Sequence, residues 1–198
     1  MARGGERLNQ RSRTRADILT AAARLSRGGS MPNLDAIADE ARVSRATVYR
    51  YFPNIDAVMT EAALHMAFPT VEDVLGEQGG DVVERLERVD AAVDAMIRSN
   101  EVPLRLMVAT AARQPLDQDE VPARQNRRLP LIDAALAPEA GEIAPGQLAP
   151  LRAALSLVIG TEAMLVLKDV LRLDGAEATA VRRWAIRALV AAARGNAA

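Results

Sequence analysis

The chain has no cysteine, a single histidine, a single tryptophan and only 3% aromatic residues in all. Without cysteine there are no disulfides, no thiolate nucleophile and no cysteine-ligated zinc, which fits a reducing compartment. The one histidine, His65, has no Glu-x-x-His spacing beside it and leaves nothing for a catalytic triad, so it reads as an ordinary surface or interdomain residue. Glycine-rich phosphate loops and nucleophile elbows are missing too. Neither catalysis nor a cofactor is expected. The longest weakly charged run, Ala153 to Thr161, falls far short of the ~20 apolar residues of a membrane span. The amino terminus, MARGGERLNQRSRTRAD, is charged throughout and lacks the apolar centre of a signal peptide. These absences predict a cytoplasmic protein with no membrane partner.

What remains is a helix-forming composition. Hydrophobic residues make up 49% of the 198, with alanine, leucine, arginine and glutamate recurring and β-branched residues sparse. An all-α fold follows, large enough to bury a core. Charge is distributed unevenly along it. Met1 to Phe52 carries ten arginines against five acidic residues, a net of +5 in a chain whose total is −1. A basic amino-terminal quarter on an acidic body has the electrostatics of polyanion binding; a solvated arginine-rich arm would look the same by charge alone.

Apolar periodicity places a helix from Arg13 through Leu25, ended by Gly28-Gly29. Asn33 can cap a short second helix, Leu34 to Ala41, and Ser44 a third, Arg45 to Phe52, closed by Pro53-Asn54. A fourth runs from about Ile55 to Met66. Beyond it, prolines and glycines delimit further helices at about 81–99, 103–113, 123–137, 150–172 and 175–194, about nine in all. Pro130 removes a backbone donor and should kink or start the helix that holds it. The acids Asp117, Asp119 and Glu120, between two prolines, read as a solvated loop rather than a metal site.

The second and third helices, joined by about three residues, have the spacing of a helix-turn-helix. Ala38 is small where the two would touch, and Ile37, Val43 and Val48 face inward. Both tyrosines of the chain, Tyr49 and Tyr51, sit two residues apart on the third helix. At ~100° per residue they cannot share a face. Outward-facing Arg45, Thr47, Tyr49, Arg50 and Tyr51 suit phosphates and base edges in the major groove. For Tyr51, a half-buried supporting role competes with that reading.

The stretch LDAIADEARVSRATVYRYFPN, Leu34 to Asn54, with ADILTAAARL upstream, resembles the amino-terminal signature of TetR-type transcriptional regulators. The resemblance covers about residues 11–60; the body is similar only in helix pattern. It implies a one-component regulator, most simply a repressor, that binds palindromic double-stranded operator DNA as a homodimer and is released by a small effector. Residues 1–54 would form the DNA-binding domain and 55–198 the effector-binding and dimerisation domain, with the fourth helix as connector. Carried over by position, Ser44 and Thr47 would contact backbone or bases, Arg45 and Tyr49 would read or pack on bases, and Arg50 and Tyr51 would hold phosphates, with Asn33 completing the set. Three positions depart from the pattern: Arg42 replaces the glycine of the turn, Ile55 a phosphate-gripping lysine, and Ser26 an aromatic behind the first helix.

Two carboxy-terminal stripes, Leu151, Leu155, Val158 and Ile159, and Val181, Trp184 and Ala188, either pack within the monomer or form a homodimer's helical bundle. Met66, Met96, Leu104, Met107, Thr110 and Arg113 are candidates for a pocket that takes a hydrophobic or amphipathic effector, although methionines at such positions also serve as core filler. The alternative is a small-molecule-binding or scaffold protein with a degenerate DNA-binding domain.

Overall fold

The computed structural model describes residues 2–26, 31–76, 79–112 and 126–195, and their regular structure is helical throughout. In chain order the helices are α1 (Ala2–Ser26), α2 (Leu34–Glu40), α3 (Arg45–Tyr51), α4 (Ile55–Ala67), α5 (Val71–Val74), α6 (Val82–Ser99), α7 (Glu101–Ala112), α8 (Leu129–Leu136), α9 (Leu148–Val158), α10 (Thr161–Met164, continued by a π-helical segment Leu165–Val170) and α11 (Gly175–Ala193). A 3-10 segment, Ala137–Glu142, follows α8. The chain forms two compact units. One comprises the described residues of Met1–Ala67 and Val102–Gln125, the other those of Phe68–Glu101 and Asn126–Ala198.

In the first unit, Ile18, Leu19 and Ala22 of α1 meet Ile37 and Ala38 of α2, Val48 and Tyr51 of α3, and Val58 and Ala62 of α4. Each large aliphatic side chain buried here contributes about 1.5–3 kcal/mol. α1 begins well before Arg13, so the basic arm is itself helical. Within this apolar centre lies an ion pair. Arg15 donates from Nε to Glu61 Oε1 at 3.0 Å, and its other nitrogens reach Glu61 Oε2 and, at 3.4 Å, the Tyr51 carbonyl. The guanidinium also lies 4.5 Å from the centre of the Phe52 ring. One arginine thereby joins α1, α4 and the end of α3. At Ser26 the hydroxyl donates to the Ala22 carbonyl at 2.7 Å, with the sulfur of Met59 3.8 Å away.

In the second unit, α6, α8, α9 and α11 pack on one another through Leu86, Val89, Ile132, Ala135, Leu155, Ile186 and Val190, all buried. A second buried pair holds α6 to α11: Arg182 Nε donates to both Asp90 oxygens at 2.9 and 3.0 Å. Burial pushes the Asp90 carboxyl above its ordinary range, against the opposing pull of Arg182. α8 starts at Leu129 with Pro130 in its first turn, where a missing amide hydrogen costs nothing. The expected single helix over 150–172 is instead two, bent by 47°. Its break is Gly160, at φ +141°, where the Arg128 side chain crosses to the Ile159 carbonyl and Glu162 and leaves no room for a Cβ. Even so, no single described helix is long and apolar enough to cross a membrane.

Because removing one partner strands a buried charge, Glu61→Ala should lower stability by about 3–5 kcal/mol. Replacing both partners by leucine should recover most of that loss. Chemical denaturation of the three proteins checks this; equal loss in the single and double variants would contradict it.

Candidate nucleic-acid interface

Local sequence builds the α2–turn–α3 unit. Asn33 caps α2, its side chain accepting from the Ala36 amide at 2.8 Å. The helix ends in a two-bond return: the Val43 amide donates to the Ala38 carbonyl at 2.9 Å and the Arg42 amide to Asp39 at 3.1 Å. That geometry requires a left-handed residue just past the cap, and Arg42 adopts φ +55° there. Glycine would be the unstrained choice; arginine accepts a cost of about 1 kcal/mol. Ser44 then caps α3, accepting from the Thr47 amide at 3.1 Å, and its hydroxyl lies 2.8 Å from that of Thr47. Asn54 caps α4 in turn through the Ala57 amide at 2.9 Å.

Along α3 the side chains divide as the helical rotation demands. Val48 and Tyr51 turn inward, while Arg45, Tyr49 and Arg50 are exposed and Thr47 is half-buried. The two tyrosines have opposite fates: Tyr49 is 51% exposed and Tyr51 only 6%. The phosphate-holding role that the resemblance assigns to Tyr51 is therefore corrected, since its ring belongs to the core of the first unit. The Arg50 guanidinium lies over that ring, 5.4 Å from its centre, so Tyr51 supports a cation rather than an anion. Arg45 pairs with Asp35 of α2 at 2.5 Å, both partners largely exposed. Such a pair is weak and exchangeable, and leaves Arg45 able to turn to another anion. Ile55, where a lysine would grip phosphate, packs against the apolar core.

With seven residues, α3 is about 10 Å long, and it presents its cations and one ring on the face opposite its core contacts. The major groove of B-DNA is about 12 Å wide and admits such a helix. The unit is a helix-turn-helix that places basic and hydrogen-bonding side chains on its second helix. Residues 18–75 match the family model described as bacterial regulatory proteins, tetR family. That match covers the helix-turn-helix and supports a DNA-binding transcriptional regulator of the tetR family. No curated protein and no solved structure matches it.

Elsewhere the structure separates the sequence candidates. Leu151, Leu155 and Ile159 are buried within the second unit and serve the monomer's own core, which corrects their assignment to a dimer interface; Val158 is half-buried. Val181, Trp184 and Ala188 are exposed, Trp184 by 72%. Of the pocket candidates, Met66 is exposed, Met96 and Met107 half-buried and Leu104 buried. Thr110 stands on α7, while Arg113, like Asp117, Asp119 and Glu120, lies outside the described residues. Met107 borders a cavity of about 250 Å³ within the first unit, with Phe52, Ala57, Thr60 and Leu106. Periodicity had not pointed to its α3–α4 wall. No group of three or more metal-ligating side chains converges among the described residues.

The opposite burial of the tyrosines gives opposite expectations for stability. Tyr51→Ala should cost about 3–5 kcal/mol, as for other buried aromatics. Tyr49→Ala should stay within about 0.5 kcal/mol of the parent. Arg42→Gly should raise stability by about 1 kcal/mol. Denaturant midpoints of the three variants test the assignment of the faces.

Proposed function

We propose that the chain is a one-component repressor that binds a palindromic operator as a homodimer and leaves it when a small hydrophobic or amphipathic effector binds. The observation that carries this reading is α3, capped by Ser44 and exposing Arg45, Tyr49 and Arg50 on one side of a packed helix-turn-helix. Residues 1–54 act on DNA, and 55–198 receive the effector and the second subunit. Arg45 and Tyr49 meet base edges and Arg50 a phosphate. Ser44 and Thr47 contact the backbone from the start of α3, and Asn33 holds α2 in register beneath it.

Self-association is supported by the exposed face of α11. Val181, Trp184 and Ala188 form an apolar strip on a helix whose other face is already buried, and a large exposed tryptophan on such a strip favours an interface between like copies. The effector cavity beside Met107 supports release. Its wall includes Tyr51, Phe52 and Pro53, so a ligand there touches the end of the DNA-contacting helix itself. Differential affinity for the DNA-bound and free arrangements then gives regulation. The setting of such a regulator is cytoplasmic.

Salt-titrated binding to duplexes from upstream of the chain's own gene tests the DNA reading. Affinity should fall steeply with salt, with a logarithmic slope of about 0.9 per phosphate neutralised. Tyr49→Ala should weaken operator binding by about 1–3 kcal/mol. Equal affinity for any duplex would leave the alternative, a ligand-binding or scaffold protein with a degenerate DNA-binding domain. Light scattering at micromolar concentration should report a dimer, and Trp184→Glu a monomer; a monomeric parent would refute the assembly.

A further inference from the structure

A second cavity, of about 300 Å³, lies wholly within the second unit, between α6, α10 and the start of α11. Ile97, Met164, Leu167, Leu173 and Ala178 form its apolar wall. The α10 side is the π-helical segment, a widened turn of a kind that recurs at functional sites. Its size reaches the lower end of ordinary ligand pockets.

The charges around it are buried unequally. Asp94 is 15% exposed and pairs with Arg98, which is 63% exposed; Glu101 is 26% exposed and pairs with Lys168, which is 55% exposed. Arg182 is the buried cation on this wall, and it is already shared between Asp90 at 2.9 Å and Asp94 at 3.2 Å. Asp174 is committed to capping α11, accepting from the amides of Ala176 and Glu177. The fixed charge of the wall is thus carboxylate. The cations that balance it from solvent are the ends of two long side chains, held by weak and exchangeable pairs.

We propose that this cavity binds a small organic cation, an amine with an apolar body whose ammonium group takes the place of Lys168 at Glu101. The hydrocarbon would lie against Ile97, Met164, Leu167 and Leu173, and the ammonium would sit where the half-buried Glu101 carboxylate receives it. A carboxylate ligand meets the reverse situation. It would have to draw Arg98 or Lys168 inward and leave Asp94 or Glu101 beside it. The proposal goes beyond the function above, since this cavity is not the one beside Met107, and binding is measured without DNA, so its failure and the failure of operator recognition are separate results.

Calorimetric titration of the full chain at neutral pH with 3-phenylpropylamine, 3-phenylpropionate and 3-phenylpropanol tests the charge selection. The amine should bind at least about 10-fold more tightly than the other two, the difference expected of one charge-assisted contact. Glu101→Gln should weaken the amine by about 10-fold. Lys168→Ala, at an exposed position, removes the competing cation and should tighten amine binding severalfold. A merely apolar cavity would not respond in that direction. Equal binding of the three probes, preference for the carboxylate, no binding of the amine, or unchanged or weaker amine binding by Lys168→Ala would each overturn the assignment.

Discussion

The first unit depends on the contact between Arg15 and Glu61. An arginine and a glutamate buried among Ile18, Phe52 and Val58 would be costly apart, and together they are tolerable only in a geometry that satisfies both. The guanidinium meets the demand with the Glu61 carboxylate, the Tyr51 carbonyl and the face of Phe52. These partners come from different elements, so the pair admits one register of α1 on α4 and one position for the end of α3. Hydrophobic packing alone would accept sliding by a turn. The orientation of Tyr49 and Arg50, two and one residues before the Tyr51 carbonyl, is therefore fixed from beneath.

The same contact changes the meaning of the amino-terminal charge. Ten arginines before residue 53 suggest a uniformly basic surface, but Arg15 faces inward, Arg24 is paired with Glu40 at 2.8 Å, and Arg45 with Asp35. The field available to a polyanion is smaller than the count and more localised. Among the described residues, Arg42 and Arg50 at the turn and α3 are exposed, as is Arg13 on α1, and Arg45 can exchange partners. Arg42 adds to this surface from a strained left-handed position. Glycine there would give a better turn and one charge fewer, so local stability and surface potential pull in opposite directions.

The helix-turn-helix was legible because its determinants are local. Asn33 and Ser44 cap the helices they precede, and two tyrosines two positions apart on one helix must diverge. Which tyrosine faces inward was not fixed by spacing, and the family pattern put Tyr51 on the wrong side of that choice. The body was less legible, for physical reasons. A continuous apolar pattern over 150–172 says helix, but the break at Gly160 is set by Arg128, more than thirty residues earlier. The stripe Leu151, Leu155, Ile159 shows that a face is buried without showing what buries it. α5 escaped notice because it is one turn long, although Thr70 and Asp73 form a capping box readable in the sequence; the hydrogen bonds from Thr70 hold the Asp73 carboxyl below its usual range.

α11 joins these two kinds of determinant. Its inward face carries Ala178, Arg182, Ile186, Val190 and Ala193 at helical intervals, and its outward face Val181, Trp184 and Ala188. Apolar periodicity alone would permit rotation of such a helix, because alanines and valines on both sides are of similar size. Arg182 removes that freedom. Its bonds to Asp90 and Asp94 are long-range, directional and buried, and two residues along the chain turn the helix by ~200°, which sets Trp184 toward solvent. The polar pair inside thus decides which apolar residues are left outside. A substitution that loosened Asp90 from Arg182 would act on the outer face without touching it.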